Sequence, residues 1–152
     1  MKLIKIGDRE YTFEFTIEAS LYKECTEKIT RFMTRFQGAE GENAIEKVIS
    51  SISDLPSTAM TLFYAGLMEN HSDEIKSEKD AKKLVKQYFC EHKEDGTGNF
   101  YEVMTLMLEC MDDDGFFSQI GLTQLVENAQ TESKPKKVPQ DHSKKSTKAT
   151  GK

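Results

Sequence analysis

Long apolar runs are missing from this 152-residue sequence: no stretch approaches the ~18 consecutive apolar residues that a membrane helix needs, so contact with a membrane is not expected. The opening MKLIKIGDRE turns polar too early for a secretory signal peptide. Cysteine is scarce. Cys25, Cys90 and Cys110 are odd in number and form no CxxC pair, which argues against a disulfide framework or a thiolate metal cage. Their scarcity fits a reducing, cytoplasmic compartment, and all three read as buried thiols. Apolar residues make up 37% of the chain, below the roughly 45–50% of an average globular domain, so a small, soluble, surface-rich protein is expected. No GxSxG, HExxH, P-loop or GxGxxG motif occurs, which leaves catalysis and nucleotide binding without residues to carry them. Neither an enzyme nor a cofactor is expected.

Three features come near a site and fall short. The loop Asp95-Gly96-Thr97-Gly98-Asn99-Phe100 resembles the centre of a calcium-binding EF-hand loop. With Gly98 as the turn glycine, however, Lys93 takes the first ligand position and Met104 the last, where carboxylates are needed. Asp112-Asp113-Asp114 points three carboxylates in different directions at a helix end, with no fourth ligand at a useful spacing, and reads as a solvated acidic terminus. Cys90 and His92 are two apart on one helix, so they do not face each other.

Charge is abundant and unevenly spread. Residues 127–152 hold seven lysines and three acids, a balance of +4, while the rest of the chain holds 14 basic and 23 acidic residues, a balance of −9. The basic segment has Val138 as its one large aliphatic residue and contains Pro135 and Pro139, too little to offset ordering entropy. A folded acidic domain over 1–126 and a disordered basic tail over 127–152 are expected. The tail offers weak, salt-sensitive attraction to phosphate, but the acidic body works against nucleic acid as a partner.

Periodicity outlines the folded part as mainly α with a small β component. Leu3, Ile4 and Ile6, the turn Gly7-Asp8, then Tyr11, Phe13 and Phe15 two apart predict a β-hairpin with one aromatic face to be covered. From Thr16, a plausible N-cap, the period becomes 3.6. Ile17, Leu21, Cys25, Ile29, Phe32, Met33 and Phe36 predict one long helix ending at Gly38. Ala44, Ile45, Val48, Ile49 and Ile52 predict a second helix, and Pro56 suits the first turn of a third. That third segment, 57–70, is apolar around much of its circumference, as befits a helix central to the core or one that docks a partner. Ser77-Glu-Lys-Asp80 is a capping box with Asp in place of Glu, and it opens a helix to about His92. A helix over about 100–111 and a weaker segment to about Ala129 follow. The expected architecture is an N-terminal hairpin packed on a compact bundle of five or six helices.

Six methionines besides the first, at 33, 60, 68, 104, 107 and 111, lie on these helices. Taken alone, a methionine stripe at helical spacing reads as core. It reads as a surface for variable apolar partners only when something else points to binding.

The strand pair K-I-G-D-R-E-Y-T-F-E-F, the apolar L-F-Y-A-G-L segment, the helix start S-E-K-D-A-K-K-L-V and the acidic run ending in Gly115-Phe116-Phe117 resemble the tail assembly chaperones of long-tailed phages and prophages of Gram-positive bacteria. The resemblance covers roughly residues 1–120 and rests on element order more than on single residues. It implies a non-enzymatic protein that binds the long, helical, apolar tape measure protein and keeps it soluble until tail tube subunits polymerise around it. It further implies help in recruiting the tube protein, absence from the finished virion and, in many members, a longer frameshifted form; self-association is left open. On this reading Met60, Phe63, Leu67 and Met68, the stripe Met104, Met107 and Met111, and Phe116 with Phe117 are the partner-binding candidates. The alternative is a small acidic regulator or adaptor of a mobile element that contacts a host protein or nucleic acid through the basic tail.

Overall fold

The structure is a computed structural model that describes residues 1–36, 44–124 and 127. Strands β1 (Lys2–Ile6) and β2 (Arg9–Phe13) pair antiparallel with Ile6 opposite Arg9, so the hairpin turns on Gly7 and Asp8. Of these two only Gly7 has positive φ, as in turns with glycine at the first central position. Six helices follow: α1 (Ile17–Leu21), α2 (Lys23–Phe36), α3 (Ala44–His71), α4 (Glu78–Glu91), α5 (Phe100–Asp113) and α6 (Phe116–Gln119). A further helical stretch starts at Leu122. The expected mainly helical class with an N-terminal hairpin is what is found. The helix stop at Gly38 and nearly all of the basic segment 127–152 lie outside the described residues.

A two-stranded hairpin is marginal alone, and here α3 completes it. Ile4, Ile6, Tyr11 and Phe13 turn inward, while Leu3 and Thr12, which pair with each other, lie on the outward face. The free edge of the chain around β2 is closed by α3, since Thr12 N–H donates to His71 Nε2 at 2.9 Å and Glu14 N–H to the Gly66 carbonyl at 2.9 Å. Such an approach requires glycine at 66, because a Cβ there would come within 2.9 Å of the Phe13 ring and 3.0 Å of the Phe15 ring. Phe13 then meets Phe63 edge-on at 4.8 Å, and Phe15 meets Phe116 at 5.7 Å.

The long helix expected from Thr16 is broken. Tyr22 takes an extended ψ of 96° between α1 and α2. It is held there by an edge-on contact with Tyr64 at 5.6 Å and by its hydroxyl, 3.2 Å from Glu24 Oε2 and 3.3 Å from Glu78 Oε1. The break rotates the two pieces apart, so α2 buries Cys25 and Ile29 while α1 buries Ala19 and leaves Ile17 and Leu21 exposed. Thr16 stands at the N-cap without a capping bond, its hydroxyl donating to Glu69 Oε2 at 2.9 Å instead.

The restart expected at Pro56 does not occur either: α3 runs through it as one 28-residue helix, about 42 Å long. Proline there withdraws one donor from the ladder, and Ile52, whose carbonyl it would have served, is an exposed residue. Later helix starts follow the sequence. Ser77 accepts from Asp80 N–H, and Asn99 accepts from Glu102 N–H at 3.0 Å, caps that contribute about 1 kcal/mol each.

Two further expectations are corrected. Asp114 is not part of a solvated terminus: its side chain is 7% exposed and accepts from Phe15 N–H at 2.8 Å, with Cys110 Sγ and the Met1 amine as further partners. Asp112 and Asp113 are exposed. Cys90 is not a buried thiol, because α4 buries Ala81, Val85 and Tyr88, and a residue two places after Tyr88 points the other way. Cys25 and Cys110 are buried, and burial pushes the Cys25 thiol up to about 12. A thiol reagent at neutral pH is therefore expected to modify one cysteine of the native chain promptly and all three after denaturation. Prompt release of more than one equivalent from the native protein contradicts the packing of α2 and α5.

Candidate docking surface

Most of the residues expected to bind a partner are core. Phe63 and Leu67 on α3, Met104, Met107 and Met111 on α5, and Phe116 on α6 are buried, and only Met60, Met68 and Phe117 are half-buried. The reason is the position of α3, which packs on the hairpin, α1, α2, α4 and, most extensively, α5. The methionine stripe of α5 is buried in the same core cluster as Phe63 and Leu67 of α3. Thus Phe63, Leu67, Met104, Met107, Met111 and Phe116 do not form a docking face.

The open apolar surface lies elsewhere on α3. Ile49, Ile52, Pro56, Met60, Phe63 and Leu67 recur every three or four residues, so they form one stripe along a single face of the helix. Its second half is covered by the hairpin and α5. Its first half is not: Ile49 is 59% and Ile52 63% exposed. One continuous apolar face is longer than the layer that covers it. Both isoleucines belong to the sequence pattern that predicted an inward face, and the signal of their exposure was the length of the stripe itself.

The flank of this half-helix is fixed by α2. Lys28 Nζ donates to the Ser57 hydroxyl at 3.0 Å and to the buried Thr61 hydroxyl at 2.6 Å, and Arg35 pairs with Asp54. Thr61 in turn donates to Glu78 Oε1 at 2.6 Å, so one hydroxyl links α2 to the start of α4. Burial first, then the Glu78 and Glu24 carboxylates, push the Tyr22 phenol up, which keeps it a neutral donor in this cluster. The small cleft between α2 and α3 contains these charges already paired with protein groups. Where the α3 stripe reaches α4 and the start of α5, a groove of about 480 Å³ opens, lined by Pro56, Ser57, Met60, Phe100, Glu78, Lys79 and Lys82.

The EF-hand-like loop closes on itself. Asp95 Oδ1 accepts from Thr97 Oγ1 at 2.6 Å and Thr97 N–H at 2.9 Å, and Oδ2 lies 3.0 Å from His92 Nδ1. These bonds, those from Thr97 foremost, hold the carboxyl down to about 2. Among the described residues no group of three His, Cys, Asp or Glu side chains is arranged to hold a metal ion, and no helix is long and apolar enough to cross a membrane. No protein-family model, curated protein or solved structure matches the chain.

Proposed function

We propose that the chain is a non-catalytic tail assembly chaperone of a long-tailed phage or prophage. It binds the tape measure protein in the host cytoplasm, keeps it soluble and helps recruit tail tube subunits during tail assembly. The observation that carries this reading is the uncovered half of the α3 stripe, where Ile49 and Ile52 stand in solvent on the same face that elsewhere forms the core. Side chains repeating every three or four residues make ridges that another apolar helix face can fill, and a tape measure protein supplies such faces over its length. The acidic body, −9 without the basic segment, favours solubility of the complex. The order of hairpin, helices and closing Gly-Phe-Phe supports the same reading.

Co-expression with the tape measure protein encoded nearby tests it. The chain is expected to raise the soluble fraction of that client and to co-purify with it. Burying two isoleucines contributes about 2–3 kcal/mol, so the double substitution Ile49→Asp with Ile52→Asp is expected to weaken retention more than about tenfold while the thermal midpoint hardly moves. A client that is no more soluble with the chain than without it, and does not co-purify, removes the chaperone reading.

A further inference from the structure

We infer that the groove at the end of the exposed α3 stripe receives an acidic amphipathic helix, with its apolar side chains on Pro56, Met60 and Phe100 and its carboxylates on Lys79 and Lys82. The inference rests on the reading that the stripe binds a partner, and it specifies the chemistry of the segment bound.

Charge complementarity selects the occupant. Lys79 and Lys82 are three apart on α4, hence on one side of it, and both are exposed at the rim of the groove. Neither has a hydrogen-bond or ion-pair partner among the described residues, whereas their neighbour Lys83 is held by Asp80 at 3.0 Å. The one carboxylate lining the groove, Glu78, is engaged by Thr61 and Tyr22 from within. An acidic body thus presents, beside an apolar floor, two exposed lysines without an ion-pair partner among the described residues, and with Glu78 turned to Thr61 and Tyr22 the charged lining of the groove still sums to +1. Shape selects a helix. Ile49, Ile52, Pro56 and Met60 span twelve residues of α3, about 16 Å of rise, and lead straight into the groove, so the complementary object is elongated with the same three-to-four-residue period. A second copy of the chain is a poorer match, since the described open half of its own α3 offers two carboxylates, Glu46 at the far end and Asp54, which is already paired with Arg35.

Two synthetic amphipathic peptides test the inference against the full chain. Both carry leucine every third or fourth residue on one face; one is flanked by glutamate and the other by lysine. By fluorescence anisotropy the glutamate peptide is expected to bind about tenfold more tightly at low salt, with the difference shrinking as salt rises. Lys79→Glu with Lys82→Glu is expected to reverse the preference. Both positions are exposed, and an unchanged thermal midpoint confirms that the variant folds. Equal affinities, no binding of either peptide, a preference untouched by the lysine substitutions, or binding sites occupied by self-association in sedimentation each overturn it. If the tape measure protein is not solubilised yet the glutamate peptide binds, only the chaperone reading falls. If the client is solubilised equally well by the lysine variant, only the present inference falls.

Discussion

Phe63→Ala is expected to destabilise the fold by about 3–5 kcal/mol, the range for deleting a fully buried aromatic ring. Phe63 is 1% exposed, sits mid-way along the covered half of α3 and meets Phe13 edge-on at 4.8 Å. Its loss removes both a large apolar surface and the contact that seats the hairpin. Against a total stability of the usual 5–15 kcal/mol, the variant should unfold at a much lower urea concentration and, at the lower end of that range, be largely unfolded at 37 °C. The measurement also separates two roles for apolar residues of one helix. Phe63 and Ile52 share a face of α3, yet truncating the first is expected to lower the unfolding midpoint strongly and altering the second to leave it nearly unchanged. An unchanged midpoint for Phe63→Ala would contradict the placement of the hairpin over α3.

Asp114→Ala is expected to cost about 1–3 kcal/mol, the range for leaving a buried polar group unsatisfied. The Phe15 N–H is buried with its residue and has the Asp114 carboxylate at 2.8 Å, so removing the acceptor leaves a desolvated donor. The same carboxylate receives the Cys110 thiol and the Met1 amine, and thereby joins the end of β2's chain to the end of α5. Asp114→Asn retains an acceptor oxygen of similar reach and should recover part of the loss. Urea midpoints for the wild type and the two variants give the ranking; equal midpoints for all three would mean that water replaces the carboxylate at no cost.

Local periodicity made most elements legible. The alternation from Leu3 to Phe15 marked the hairpin, and the capping box at Ser77 with the apolar spacings to about His92 and over about 100–111 marked α4 and α5, whereas the cap at Asn99 came from the structure alone. The joints were harder. Tyr22 is an ordinary helix residue by propensity, and the contacts that hold it extended come from Tyr64 and Glu78, far along the chain. Pro56 had good reason to begin a helix and instead lies within one, because α2 packed alongside holds the segment in line. The candidate docking surface was hardest of all. An apolar stripe states that a face seeks cover without stating what arrives to cover it, and Ile52 and Phe63 differ only in their neighbours. Asp114 shows the same limit for charge: its neighbours Asp112 and Asp113 are solvated, and its own role depends on Phe15, 99 residues earlier.

Pro56 stands where α3 passes from its open half to its covered half. A rung is absent from the backbone ladder at that place, so the helix yields there more cheaply than elsewhere along its length. Lys28 and Arg35 of α2 bracket this place through Ser57 and Asp54, so the segment stays in line without the missing rung.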